Sequence, residues 1–199
     1  MLKTIYVVRH GETDWNKEGR LQGWANTHLN KTGIEQAKKI AKWFKNIQVD
    51  NIYSSDLART QETARFLCQE KKRKALITSL LRGRNFNQVA GSTWDELKAN
   101  HPDIYKNIMD ESDEVWNKLG IESVMSLKSR IQSFFNKINL KDEHIVLITH
   151  GATRRHILRF FALITNTQRP KTSNASITII DISNKNKFKY KTINDIDSL

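Results

Sequence analysis

The run Val7-Val8-Arg9-His10-Gly11-Glu12-Thr13-Asp14-Trp15-Asn16 follows directly on Thr4-Ile5-Tyr6, and its reading decides the fold of this 199-residue chain. Residues 4–8 are apolar enough for a buried strand. A guanidinium, an imidazole and a flexible glycine stand where that strand gives way to a loop. Open α/β sheets bind their ligands at the carboxyl ends of strands. A cation beside a nucleophilic imidazole suits phosphoryl chemistry.

Outward from that run, the same design recurs twice. Asn51-Ile52-Tyr53 reads as a short strand and leads into Ser54-Ser55-Asp56-Leu57-Ala58-Arg59. His144-Ile145-Val146-Leu147-Ile148-Thr149 is nearly all apolar, as expected of a strand in the buried centre of a parallel sheet, and His150-Gly151 follows it. Helical spacing fills the intervals. Thr32-Gly33-Ile34-Glu35 has a capping-box pattern, with Thr32 as N-cap, and opens a helix to about Asn46. Ser55 or Asp56 is expected to cap a second helix, to about Glu70. Residues 75–78 read as a third strand, 93–138 as mostly helical around a loop at Gly120, and a further helix starts near Ala152. Residues 176–181 and 188–191 close as strands, in a hairpin across 184–186. Strands alternating with helices predict a three-layer α/β/α sandwich with a mostly parallel central sheet. If the strands are parallel, Arg9, His10, Arg59 and His150 meet at one carboxyl edge, joined by helix N-termini that supply oriented N–H donors.

Composition bounds the rest. One domain over 1–199 is the expectation. Mean hydropathy is −0.59 and no apolar run approaches the roughly 20 residues of a membrane span. The first residues enter a strand at once and lack a signal peptide's apolar stretch, so a cytoplasmic location without membrane contact is expected. The lone Cys68 permits no internal disulfide and reads as a small buried hydrophobe. The formal net charge of +12 is spread along the chain. Its one dense run, Lys71-Lys72-Arg73-Lys74, reads as a solvated turn, and no nucleic-acid-binding signature accompanies it. The charge instead favours anionic substrates. Oligomeric state is open, since no heptad or apolar seam is visible.

The chain resembles the histidine phosphatase superfamily, the phosphoglycerate mutase-like proteins, on its short phosphatase branch. The resemblance rests on Val8-Arg9-His10-Gly11-Glu12-Thr13, Trp15-Asn16, Arg20-Leu21-Gln22-Gly23, Leu29-Asn30-Lys31-Thr32-Gly33, Tyr53-Ser54-Ser55-Asp56-Leu57-Ala58-Arg59-Thr60, Gly120-Ile121-Glu122-Ser123, Ile148-Thr149-His150-Gly151 and Asn174-Ala175-Ser176-Ile177. It implies that His10 attacks phosphorus and forms a phosphohistidine that water hydrolyses. It implies that Arg9, Arg59 and His150 hold the equatorial oxygens. Gly11, Thr13, Asn16, Gln22, Gly23 and Gly151 would line the phosphate and substrate pocket. No metal or cofactor is implied, because the cations are side chains, and His28, His101, His144 and His156 are scattered without metal spacing. The substrate would be a small phosphorylated molecule and inorganic phosphate a product. Mutases of the family are typically longer than this chain.

One segment departs from the pattern. The family carries a catalytic glutamate in a stretch like Leu-Arg-Glu-Arg-x-Phe-Gly-x-x-Glu-Gly. Here the matching residues are Leu81-Arg82-Gly83-Arg84-Asn85-Phe86-Asn87-Gln88-Val89-Ala90-Gly91, so Gly83 stands where that glutamate would be. Asn87 replaces a glycine and Ala90 a second glutamate. A positioned general acid contributes about 10²–10⁴-fold, most for basic alkoxide leaving groups and least for phenolates. Glycine can neither protonate nor deprotonate, and it is expected to loosen the loop. Three explanations stand side by side: a neighbouring carboxylate (Glu12, Asp14, Glu62, Asp95 or Glu96) takes over, the protein binds a phosphorylated ligand without turnover, or Gly83 is an introduced change. Residues 80–125 are expected to set specificity, with Trp94, Tyr105 and Trp116 either lining a pocket mouth or packing helices.

Overall fold

The computed structural model describes residues 3–111, 119–138, 143–170, 172–182 and 188–194. Six strands form one sheet: β1 (Lys3–Arg9), β2 (Asn51–Ser55), β3 (Ala75–Thr78), β4 (His144–Thr149), β5 (Ile177–Ile182) and β6 (Phe188–Ile193). Their spatial order is β3-β2-β4-β1-β5-β6. β3, β2, β4 and β1 pair in parallel, whereas β5 runs antiparallel to both β1 and β6. The nearly all-apolar β4 lies between β1 and β2, as its composition demands. The hairpin turn expected at 184–186 lies outside the described residues, as does Trp116.

Alternation along the central strands builds two cores. Ile5, Val7, Ile145 and Leu147 point to one face, under α6 (Val124–Lys137) and α7 (Gly151–Phe160). Tyr6, Val8, Val146 and Ile148 point to the other, under α2 (Lys31–Trp43) and α3 (Ala58–Lys71). Helices on both faces of a mostly parallel sheet make the three-layer sandwich predicted from the sequence. A third apolar cluster, including Leu21, Leu97, Ile108 and Val124, lies under α4 (Trp94–Asn100) and α5 (Pro102–Asp110). The four-residue helix α1 (Asp14–Lys17) follows β1.

Several helix starts differ from the sequence reading. Asn30, not Thr32, caps α2: its side chain accepts from the Gly33 N–H at 2.9 Å, and Glu35 pairs with Lys38 instead of reaching back. The helix stops at Trp43, with Phe44 as C-cap, short of Asn46. Neither Ser55 nor Asp56 is the N-cap of α3. That position falls to Leu57, and Asn26, from a distant loop, accepts the Ala58 N–H at 2.7 Å. Asp56 is engaged by Arg82 through two hydrogen bonds of 2.7 and 2.6 Å. Local side-chain patterns name plausible caps, but tertiary contacts chose among them. The basic run, which begins on the last residue of α3, is also more than a solvated turn: Lys71 Nζ donates to the carbonyls of Phe44, Lys45 and Ile47, and Arg73 to that of Asp50.

Candidate active site

The parallel strands bring their carboxyl ends to one edge, and the sequence-predicted residues meet there. Arg9 ends β1 and His10 follows it. Arg59 lies in the first turn of α3, and His150 is the N-cap residue of α7. These four side chains line one cavity of about 440 Å³. Asn16, Gln22, Gly23, Gly83 and Gly151 also border it. Gly11 and Thr13, expected as phosphate contacts, do not. The Gly11 N–H donates to Thr63 Oγ1 at 3.1 Å, and the buried Thr13 caps α1 by accepting from the Asn16 N–H. These two residues shape the first loop from behind. A Cβ on Gly11 would stand 2.5 Å from the Gly33 carbonyl oxygen, so the close approach of two backbones demands glycine there.

His10 is buried, and its Nδ1 lies 2.7 Å from the Gly11 carbonyl oxygen. A carbonyl only accepts, so Nδ1 carries the proton and Nε2 keeps its lone pair. Burial, then the charges of Arg59 and Arg9, push the His10 pKa well below its ordinary value. The ring is therefore neutral, with a nucleophilic nitrogen, at physiological pH. The backbone of His10 is fixed from behind, since its carbonyl accepts from the Ala175 N–H at 3.1 Å and from Asn174 Nδ2 at 3.3 Å. Asn174 Nδ2 also donates to Asn16 Oδ1 at 2.9 Å, which ties the first loop to the chain ahead of β5.

Arg59 is tightly held. One Nη donates to the Ala25 carbonyl at 2.7 Å, and the other to the Gly23 carbonyl at 2.8 Å and His150 Nδ1 at 3.2 Å. Guanidinium nitrogens only donate, so His150 Nδ1 accepts and its Nε2–H donates to Ser55 Oγ at 3.2 Å. The rings of His10 and His150 lie 5.1 Å apart, centroid to centroid. Burial, and then Arg59, hold His150 neutral as well. Arg9 donates to the Thr172 carbonyl. The Nε of Arg9 and the Nε of Arg59 are both buried without a hydrogen-bond partner. Burial and nearby arginine charge lower both guanidinium pKa values to about 10. Two neighbouring cations whose buried Nε donors are idle form a site whose strain an oxyanion would relieve.

Among the described residues lining the cavity, none is Asp or Glu. Each of the five carboxylates considered as substitutes lies outside that lining. Glu12 accepts from Asn30, and Glu62 from His28 and the Leu29 N–H. Glu96 completes a capping box with Thr93, and Asp14 and Asp95 are exposed. Gly83 itself is buried in the cavity wall, where a Cβ would meet Cγ of His150 at 3.2 Å. The loop is not loosened, contrary to expectation. The Gly83 carbonyl accepts from Trp24 Nε1 at 2.8 Å and from Arg130 at 3.2 Å, while Arg130 also grips Glu122. Asn87, where a glycine was expected, has φ +40°, a left-handed conformation that asparagine tolerates better than most residues.

Sequence reading missed Ser55 as the partner of His150. A serine pair at a strand end was the available signal. It also missed the arginines farther out, Arg20, Arg84, Arg155 and Arg169, which border the same cavity. Arg155 stands one helical turn after Gly151, and that spacing could have found it. Arg169 lies in an irregular segment and left no such signal. Trp94, Phe86, Ile108 and Met109, with Leu21, belong to the apolar part of the wall. Trp94 does both jobs considered for it, since it borders the cavity and packs edge-on against Tyr105 at 6.3 Å. Among the described residues no group of three or more His, Cys, Asp or Glu is arranged to hold a metal ion, and no helix is long and apolar enough to cross a membrane. Cys68 is half-buried, and burial pushes its thiol pKa up.

A sandwich on a six-stranded sheet with two histidines and two arginines at its strand ends has the phosphoglycerate mutase-like architecture. The chain belongs to the histidine phosphatase superfamily (branch 1), whose family model matches residues 5–196. It is 30% identical to phosphoglycerate mutase-like protein 4 of Arabidopsis thaliana, over 98% of this chain and 86% of that protein. It is 29% identical to a metal-independent phosphoserine phosphatase of the same plant, over 98% and 82% of the two chains. Among solved structures, a phosphoserine phosphatase variant from Entamoeba histolytica in complex with phosphoserine superposes with a TM-score of 0.83 at 23% identity, covering 99% of both chains. A mycobacterial glucosyl-3-phosphoglycerate phosphatase gives 0.82 at 22% identity, covering 98% of this chain and 99% of that one.

Proposed function

We propose that this protein is a metal-independent phosphomonoesterase that works through a phosphohistidine on His10, and that its rate is attenuated because Gly83 supplies no proton. The observation that carries the reading is the His10 ring, neutral and held by Gly11 with Nε2 unprotonated, in one cavity with the idle Nε donors of Arg9 and Arg59. Nε2 attacks phosphorus in line and the ester oxygen leaves. Arg9 and Arg59 offer their free Nε–H groups to the equatorial oxygens, where transition-state charge collects, and His150 joins them by turning its Nε2–H from Ser55 to the phosphoryl group. Water then attacks the phosphohistidine and releases inorganic phosphate. The relatives' names, phosphoserine phosphatase and phosphoglycerate mutase-like protein, support a small phosphorylated substrate.

A second reading, a non-catalytic binder of phosphorylated ligands, is favoured by the lack of Asp and Glu among the described cavity residues. Phosphate release from several monoesters by the chain and by His10→Ala separates the two. His10-dependent release supports the phosphatase. Protection of the fold by phosphate or vanadate without any release supports the binder. Isomerisation of phosphoglycerate without net release would make the protein a mutase.

A further inference from the structure

We propose that this site prefers phosphomonoesters whose leaving group is an acidic hydroxyl on an aromatic body, that is, aryl phosphates over alkyl or sugar phosphates. The inference rests on the phosphomonoesterase reading and names its substrate class. Two independent features of the cavity converge on it.

The first is the supply of protons. When His10 Nε2 forms its bond to phosphorus, the P–O ester bond breaks and its electron pair goes to the departing oxygen. An alkoxide is too basic to leave without a proton in transit. The described part of the cavity offers guanidinium N–H groups and neutral imidazoles, and no carboxylic acid. Guanidinium donors stabilise phosphoryl oxygens but do not give up a proton in this pH range. Gly83 beside the His150 ring presents only backbone, and its carbonyl is already occupied by Trp24 and Arg130. A phenolate needs no such proton and takes one later from bulk water. In the second half-reaction water attacks phosphorus, the N–P bond breaks, its electron pair returns to Nε2, and the spare proton passes to solvent. That half-reaction is common to all substrates.

The second feature is the wall. Trp94 and Met109 are 40% and 42% exposed, and both line this cavity together with Phe86 and Ile108. Single exposed apolar residues are ordinary, but two exposed ones beside half-buried Phe86 and buried Ile108, around one polar-floored cavity, give a body of matching character a place to sit. Trp94 is held upright rather than loose. It is the first residue of α4, whose start is fixed by the reciprocal capping box of Thr93 and Glu96, and Tyr105 packs against its ring. A sugar phosphate or a glycerol phosphate would leave this wall uncovered.

The test reads kcat/KM, which reports events up to departure of the leaving group, for phenyl phosphate, benzyl phosphate and glycerol 3-phosphate. Benzyl phosphate keeps the aromatic body but leaves as an alkoxide. Phenyl phosphate is expected to exceed benzyl phosphate by about 10²–10⁴-fold, the worth of a missing general acid. Gly83→Glu is expected to narrow that gap by raising benzyl far more than phenyl. Trp94→Ala is expected to raise KM for phenyl phosphate several-fold and leave that for glycerol 3-phosphate unchanged. Phenyl and benzyl rates within tenfold of each other in the chain as it stands would overturn the proposal, whatever Gly83→Glu does and even if that variant fails to fold. A Trp94→Ala effect equal on all three substrates would overturn the role of the wall. Release of phosphate from none of the three, or equal release by His10→Ala, would instead sink the phosphomonoesterase reading.

Discussion

Three histidines are buried in neutral form, and this makes the fold sensitive to mild acid. Burial and neighbouring arginines hold His10 and His150 well below the ordinary imidazole pKa. Burial lowers His156 to about 3, against the opposing pull of Glu111. In the unfolded chain each would titrate near 6.5. For a base whose folded pKa is depressed, the unfolded state binds the extra proton first. Stability is therefore full above about pH 6.5 and falls as pH drops below it, until the folded pKa is reached. Between about pH 7 and about pH 5.5 each histidine costs about 1.2 kcal/mol, so three cost about 4 kcal/mol. That is a large part of a typical stability of about 5–15 kcal/mol. The lowered carboxylates Asp50, Asp56 and Glu111 add their losses only at lower pH, below the ordinary carboxylate range. Urea unfolding in phosphate-free buffer at the two pH values measures the difference. His150→Gln should remove about a third of the slope, and saturating phosphate should flatten it by giving protonated His10 and His150 an anion to face. A stability unchanged between the two pH values would refute the burial argument for the site.

His10→Ala should abolish phosphate release while the circular dichroism spectrum and unfolding midpoint stay close to those of the parent. Arg59→Ala should weaken vanadate inhibition by more than tenfold and also lower stability by about 1–3 kcal/mol, because the Gly23 and Ala25 carbonyls lose their donor; inhibition titrations and urea unfolding read the two effects separately. Inorganic phosphate at about 100 times its Kd should stabilise the fold by about 2.7 kcal/mol, and a thermal shift absent in Arg9→Ala but present in the parent would place the anion at these donors. Gly11→Ala should give a poorly folded chain, since its Cβ would meet backbone rather than a movable side chain; normal solubility and full activity would contradict the close approach of Gly11 and Gly33.

Much of this site was legible because chemistry and topology coincide at strand ends. Val7-Val8 before Arg9-His10, and Leu147-Ile148 before Thr149-His150, are short apolar strands whose parallel pairing puts both histidines on one edge. What the sequence hid lies in contacts between distant segments. The α3 start is satisfied by Asn26, so no capping residue could be read locally. The family resemblance implied Thr13 as a phosphate contact, yet its hydroxyl completes the α1 cap. Arg169 reaches the cavity from an irregular segment, and Met109 from the exposed side of α5. Specificity is written in such placements, and for that reason the motif points to a family and its phosphoryl chemistry more readily than to a substrate.

Gly83 is best understood through what holds the backbone there. Trp24 and Arg130 both donate to the Gly83 carbonyl, and Arg82 stacks over the Trp24 ring at 4.7 Å while pairing with Asp56. The wall is thus rigid although its side chain is absent. A side chain restored at 83 would find its main chain already placed, but its Cβ would press on the His150 ring at 3.2–3.3 Å, and that ring is clamped between Arg59 and Ser55. Two effects therefore mix in Gly83→Glu: a carboxyl gained, and an imidazole displaced by a few tenths of an ångström. Gly83→Ala separates them, because it carries the Cβ contact without the acid. If the alanine variant lowers turnover of phenyl phosphate and vanadate affinity together, the His150 position is what glycine protects. If alanine is neutral while glutamate raises only the alkyl rates, the site tolerates a side chain at 83 and lacks nothing but the proton.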